Sequence, residues 1–301
     1  MNISRWWALT KIVVQAHVLN WFWRPRSVRR ARRCAVAANA IPKYMMRYVP
    51  KPDEIADMPI VKDDAGEKIF TLWLQGEENA PALVRACFAS IRAHCSQELI
   101  VLDENTIWDY IELPAEIIEK RRRGQIKNAH FADICRVELL YRHGGFWLDS
   151  TAFVTEPIPQ WIVDQDFFVF MAGNNVGSPY SFIQNCFIRA RRGSYLLAAW
   201  RRTILNFWMA ENREFDYFMH QLMFKAMVMH DARAAKYFAK MPHVDQDPTH
   251  ALWWDYRDTP FDEKTFKDVT SGAFFQKLTY RGAENPKQGS FADVMINKMN
   301  K

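Results

Sequence analysis

Chemistry in this chain concentrates in one stretch, Ala129–Thr151, which carries an acid and a base three residues apart and a second acid downstream: Asp133, Arg136 and Asp149. Phe131, Ile134, Cys135, Leu139 and Leu140 recur at helical spacing around the first pair, which predicts a helix with Asp133 and Arg136 on a shared face. Gly144 and Gly145 stop that helix, and Phe146-Trp147-Leu148 reads as a short buried strand running into Asp149. A carboxylate at the carboxyl end of a buried strand is where open α/β sheets place ligand chemistry, because the strand holds it while the loop beyond leaves room. A hard cation such as Mg2+ or Mn2+ takes one or two carboxylates plus substrate phosphate oxygens. At Asp149, with Arg136 and Lys277 assisting, such an ion would neutralise charge developing on a departing nucleoside diphosphate. The same residues also admit a plain structural reading. Asp133 and Arg136 can be a solvated helix pair, which stabilises by about 0.2–0.5 kcal/mol, and Asp149 can begin a polar turn.

Rival chemistries leave no trace. Neither GxGxxG nor GxxxxGK[ST] occurs, so the phosphate loops of dinucleotide oxidoreductases and P-loop enzymes are absent. His, Cys and carboxylate residues show no zinc spacing, and no GxSxG elbow supplies a nucleophile.

The elements that must position these residues alternate. Lys68–Leu74 reads as a first core strand, Pro81–His94 as a helix, Glu98–Leu102 as a strand, and Pro114 opens another helix. Beyond Thr151, Ala152–Val154, Phe167–Phe170 and Phe182–Ile188 read as strands, Asn174–Pro179 as a loop, and Ser194–Phe238 as helix with methionines filling core. Phe274–Tyr280 returns as a last strand. Such alternation argues a mostly parallel sheet with helices on its faces. The chain has 301 residues, 49% of them hydrophobic, enough for a sizeable core. Its five cysteines form no CxxC pair and read as buried thiols in a reducing compartment.

Charge divides the chain. Residues 1–50 hold ten Lys and Arg and no acid, and the remainder holds thirty basic against thirty-four acidic residues, so the net +6 is entirely N-terminal. Trp6, Trp7, Trp21 and Trp23 precede an arginine run from Arg24 to Arg33, while Lys11, Gln15, His17 and Asn20 interrupt any spanning run of about twenty apolar residues. Indole beside guanidinium suits an anionic membrane surface, where each basic residue contributes about 1 kcal/mol. Peripheral attachment through residues 1–40 is therefore expected, with a packed N-terminal helix as the alternative. Nucleic acid is not an expected partner, since the basic run lacks a reading module. The organisation expected is a basic, Trp-rich helical segment over 1–48, a proline-bearing connector over 49–67 and one catalytic domain over 68–301.

The combination of Phe131-Ala132-Asp133-Ile134-Cys135-Arg136 with Gly144-Gly145-Phe146-Trp147-Leu148-Asp149 resembles the capsular polysaccharide synthesis protein family, bacterial glycosyltransferases akin to glycosyltransferase family 32. Leu72–Gly76 with Ala80-Pro81, Gln184–Ile188, Asp216-Tyr217-Phe218 within a helix, and Lys277–Tyr280 extend the resemblance over residues 68–281. It implies a GT-A fold, a nucleotide-sugar donor, a glycan acceptor, a divalent cation (Mn2+ or Mg2+), a retaining course and a place at the cytoplasmic membrane face of a bacterium. By that resemblance Asp149 opens the metal motif, Asp133 and Arg136 contact the donor sugar and diphosphate, and Trp73 stacks the base. His250 would complete the metal shell, and Asn185 and Asp216 would contact donor or acceptor. The sequence departs from the family's frequent Asp-x-Asp: Thr151 stands where a second carboxylate is common, a weaker and neutral ligand. A noncatalytic glycan-assembly scaffold retaining the fold is the rival reading.

Overall fold

The computed structural model describes residues 26–55, 59–61, 67–173 and 181–297, with isolated positions 7, 10, 11 and 14. Most of the Trp- and Arg-rich stretch read as a membrane-surface segment, and the loop expected at Asn174–Pro179, lie outside the described residues. Among those described, no helix is long and apolar enough to cross a membrane.

A five-stranded sheet forms the centre, in the order β2-β1-β3-β6-β5. Its strands are β1 (Lys68–Leu72), β2 (Glu98–Leu102), β3 (Gly145–Leu148), β5 (Phe167–Met171) and β6 (Ile183–Ala190). β1 pairs in parallel with both β2 and β3, whereas β6 runs antiparallel between β3 and β5. Parallel neighbours need crossovers, and helices supply them: α2 (Ala82–His94) joins β1 to β2, while α3 (Ala115–Arg122) and α4 (Asn128–His143) lie between β2 and β3. Every residue of β3 is buried, as expected of a central strand covered on both faces. A separate ribbon pairs β4 (Ala152–Val154) antiparallel with β7 (Phe275–Lys277). The architecture is mixed α/β and consistent with a GT-A-like fold.

The sheet is flanked by α6 (Tyr195–Ala210), α7 (Met219–His230) and α8 (Ala232–Phe238), with α5 (Gln160–Val163) a single turn before β5. Met219, Met223 and Met227, four apart on α7, are fully buried, so the methionines fill core as their spacing predicts. Helix α1 (Arg26–Met45) contributes Ala37, Ile41, Tyr44 and Met45 to the same apolar cluster as the sheet. It is tied down by polar bonds too: Lys225 Nζ donates to Ala38 O at 2.8 Å, and the Tyr44 hydroxyl to Glu211 Oε1 at 3.1 Å.

Three helices of the last fifty residues have no counterpart in the sequence reading: α9 (Ala251–Tyr256), α10 (Glu263–Thr270) and α11 (Phe291–Asn297). Leu252, Trp253, Phe291 and Met295 from this region join Leu83, Cys87, Phe153 and Leu278 in a second apolar cluster. It packs α2 and the β4–β7 ribbon against the C-terminal region. All five cysteines are free, with Cys87, Cys135 and Cys186 buried.

Candidate functional site

Two glycines set the geometry from which the site is built. Gly144, at φ +69°, closes α4 by donating its N–H to Leu140 O at 2.9 Å. Gly145, at φ +91°, starts β3 so close to β1 that a Cβ there would lie 2.4 Å from the Lys68 carbonyl oxygen. Only glycine admits both that φ and that approach. The helix thus turns sharply into a strand beside β1. β3 then delivers Asp149, whose N–H donates to Cys186 O and whose carbonyl accepts from Ala152 N–H, both at 2.8 Å.

Around Asp149 the structure gathers three more charged side chains. Arg136 Nη2 lies 3.2 Å from Asp133 Oδ1 and 3.3 Å from Asp149 Oδ1. Arg136 Nη1 donates to Asn185 O at 2.6 Å, and its guanidinium sits 5.0 Å above the Trp147 ring. Trp147 Nε1–H donates to Asp149 Oδ1 at 2.8 Å. On the other side Lys277 Nζ lies 3.0 Å from Asp149 Oδ2 and donates to Thr151 Oγ1. Asn185 Nδ2 donates to Asp133 Oδ1 at 2.8 Å, and Gln221 Nε2 to Asn185 Oδ1 at 3.1 Å. Burial works most strongly against ionising Asp149, yet Lys277 and Arg136, with the Trp147 indole, together hold its carboxyl below the usual range. For Asp133 the same contest against burial is won by Arg136 and His220, and its carboxyl is also low. Burial works most strongly against the charge of Lys277 and Arg136 as well, but Asp149 together with the other groups around them, Asp133 among them for Arg136, raises both. The cluster is two anions interleaved with two cations.

Asp133 has two further neighbours. His220 Nδ1 lies 2.8 Å from Asp133 Oδ2, though off the line of a well-aligned hydrogen bond, and His130 Nδ1 lies 3.5 Å from the same oxygen. These three residues are buried, offer ligand atoms within 4.8 Å of one another and could by proximity hold a metal ion. Their hydrogen bonds favour another use. Trp208 Nε1–H donates to His220 Nε2 at 2.9 Å, which leaves the ring proton on Nδ1, facing Asp133. Burial keeps this imidazole neutral against the pull of Asp133. A metal on Nδ1 would require removal of that proton or loss of the Trp208 bond.

The divalent cation expected at Asp149, Thr151 and His250 also meets a poor fit. Both Asp149 oxygens already face cationic or indole N–H groups, and Thr151 accepts from the same ammonium. His250 Nδ1 is 2.8 Å from Thr249 Oγ1, and burial, with Lys277 nearby, pushes its pKa down to about 4.

Aromatic rings edge the site. Trp73 follows β1, its N–H bonded to Leu102 O at 2.9 Å, and stands edge to face with Tyr280 at 5.3 Å between centroids. Its Nε1 is buried without a hydrogen-bond partner among the described residues. Asp216 lies before α7, not inside a helix: its Oδ1 accepts from Phe218 N–H at 2.8 Å, an Asx turn ahead of the helix, whose N-cap is Phe218. That turn leaves Tyr217 66% exposed, its ring 6.3 Å from that of His130, and its hydroxyl within reach of the fields of Asp133 and Asp149. His130, His220, Gln221, Tyr217 and Tyr280 were not singled out by sequence reasoning. Tyr217 and Tyr280 sat beside residues that were, whereas the histidines had no spacing signal.

A family model described as capsular polysaccharide synthesis protein matches residues 26–299. The chain is similar to the glycosyltransferase afumC of Aspergillus fumigatus, 25% identical over 175 residues, which are 52% of this chain and 45% of that protein. It is also similar to the O-glycosyltransferase PaGT of Phomopsis amygdali, 33% identical over 101 residues, which are 32% of this chain and 25% of that one. The chain thus spans less than half the length of these curated relatives. No solved structure matches.

Proposed function

The chain belongs to the capsular polysaccharide synthesis protein family, and from that premise we propose that it is a glycosyltransferase moving a sugar from a nucleoside diphosphate to a hydroxyl of a cell-surface glycan. The observation that carries the proposal is the pair of cations, Arg136 and Lys277, held on either side of Asp149 at the carboxyl end of β3. Their N–H donors suit the oxygens of a diphosphate leaving group, whose charge grows as the glycosidic bond breaks. Trp73, with Tyr280 against it, is placed in this reading as the wall for the nucleobase. Asp133 acts through its neighbours: its oxygens are engaged by Arg136, Asn185 and His220, so it orients Arg136 and Asn185 and meets the sugar less directly. Asp216 shapes the turn that presents Tyr217, an exposed ring suited to stacking on a sugar face.

A retaining course is supported by the state of the carboxylates. Asp133 and Asp149 are both held below the usual range, which makes them poor general bases for activating an acceptor hydroxyl. The Mn2+ or Mg2+ of the family resemblance would have to draw on Asp149, Thr151 and His250. Attachment to an anionic membrane surface at the bacterial cytoplasmic face belongs to the proposal on the strength of the N-terminal tryptophans and arginines. Because Ala37–Tyr48 joins the core, liposome sedimentation should compare the full chain with one starting at residue 26. The deciding experiment is a donor panel: purified protein with UDP-, GDP-, CDP- and dTDP-sugars, scored for release of the nucleoside diphosphate. Turnover of one donor, abolished by Asp149→Asn in a folded variant, is the expected result; no turnover or binding of any donor would sink the reading.

A further inference from the structure

We propose that this protein binds the diphosphate of its donor without a divalent cation, Lys277 standing in the place between Asp149 and Thr151 that a metal ion would need. The inference rests on the glycosyltransferase reading above and deepens it. Asp149 and Thr151 are the two side chains that an Asp-x-Thr turn offers to a cation, and Lys277 Nζ already bridges them, 3.0 Å from Asp149 Oδ2 and donating to Thr151 Oγ1. The other carboxylate oxygen, Asp149 Oδ1, accepts from Trp147 Nε1 at 2.8 Å and faces Arg136 Nη2 at 3.3 Å. An ion at the usual ~2.1 Å of a Mg2+–oxygen bond would meet N–H donors on either oxygen, and its double charge would sit against an ammonium and a guanidinium.

The lysine is pinned at its backbone. Ala152 and Lys277 are partners in the β4–β7 ribbon, and the following N–H, of Leu278, donates to Thr151 O at 2.8 Å. The C-terminal end of the turn, at Thr151 and Ala152, is therefore bonded to the segment that carries the ammonium, while its start at Asp149 is bonded to Cys186 of β6, so the Asp149–Lys277–Thr151 bridge is a built part of the fold. An ammonium has three N–H donors. Two are taken by Asp149 and Thr151, which leaves one for a phosphate oxygen, and the exposure of the Lys277 side chain, 23%, allows a ligand to reach it. Two acids and two bases leave the cluster neutral overall, so directed N–H donors rather than a net field carry the affinity.

Calorimetric titration of the full-length protein with UDP and GDP, in excess EDTA and again in excess Mn2+, tests this directly. The dissociation constant in EDTA is expected within about threefold of that in Mn2+, a difference of under 1 kcal/mol, and the purified protein should carry no stoichiometric metal. Lys277→Met, checked for folding by circular dichroism, should weaken binding in EDTA by about tenfold or more. Adding Thr151→Asp to that variant should create a Mn2+ requirement. Binding that appears only with Mn2+, a stoichiometric metal in the purified protein, or Lys277→Met binding like the parent would each overturn the inference. Should Lys277→Met not fold, the EDTA and Mn2+ titrations of the parent protein decide alone. No binding of either nucleotide or of any donor under both conditions would instead bring down the glycosyltransferase reading on which this rests.

Discussion

Arg136→Met is the sharpest perturbation of the site, because one guanidinium serves both acids, the buried Asp133 and the partly exposed Asp149. The substitution keeps an unbranched, apolar chain of similar length over the Trp147 ring and removes only the charged head. It breaks contacts of 3.2 Å to Asp133 and 3.3 Å to Asp149 and strips the Asn185 carbonyl of a donor at 2.6 Å. Removing one partner of a buried ion pair costs roughly 3–5 kcal/mol because the other charge is left uncompensated. The orphaned carbonyl would add about 1–3 kcal/mol if the sites were independent. They share one side chain, and Lys277 and His220 still face the two carboxylates, so the lower range applies: a loss of about 3–4 kcal/mol at neutral pH. Against a typical total of about 5–15 kcal/mol, that is a large fraction.

The pH dependence gives the reasoning a second check. Folded-state carboxyls held below their ordinary range contribute stability that is present above the unfolded pKa of about 3.9 and is lost as pH falls through the folded value. Without Arg136 both carboxyls rise, so the variant's deficit should be greatest near neutrality and shrink on acidification. Urea unfolding of parent and variant, at about pH 7 and about pH 4.5, measures this. Adding Asp149→Asn to Arg136→Met should recover at least about 1 kcal/mol, the coupling expected within one charge network. A deficit below about 1 kcal/mol, or one unchanged by pH, would mean that these charges are solvated and that the buried network has been misread.

Gly145→Ala should destabilise through both a forbidden φ and a 2.4 Å clash with the Lys68 carbonyl, by about 2 kcal/mol or more. Gly124→Ala, at φ +72° with open space around it, isolates the backbone part of that cost. Equal melting temperatures for the two variants would refute the close approach of β3 to β1. His250 has a folded pKa of about 4 against an ordinary 6.5, so the unfolded chain binds the extra proton between those values and stability should rise with pH across that window. The penalty reaches about 3 kcal/mol at its lower end, and His250→Gln should flatten this part of the stability curve; an unchanged slope would show that the ring is solvated.

What the sequence made legible is the local half of the site. Helical spacing around Asp133 and Arg136, the Gly-Gly stop and the apolar run into Asp149 each follow from contacts within a few residues, and each appears in α4 and β3 as read. Of the non-local half only part was legible: Lys277 is expected beside Asp149 and Phe274–Tyr280 as a strand, but the pairing of that strand with Ala152–Val154, far away in the chain, is not, since so short a strand has no periodicity of its own. His220 meets Asp133 because α6 packs against both α4 and α7, and nothing in Met219–His230 marks that residue apart from its type. One tail helix did carry a signal: Asp262 accepts from Thr265 N–H at 2.7 Å, an N-cap that the aromatic-and-polar tail pattern obscured.

Exposure orders the four charges along the path a ligand would take. The side chains of Asp133 and Arg136 are 10% and 7% exposed, those of Asp149 and Lys277 22% and 23%. In the proposed reaction the diphosphate therefore meets Lys277 first and Arg136 through it, while Asp133, with His220 and Asn185 behind, fixes the guanidinium from below. A helix spacing that on sequence grounds could have been a solvated surface pair is instead the buried foundation of the site. Its value lies in holding Arg136 still: a charge that must not reorganise as the sugar departs stabilises that departure more than one that must be drawn into place.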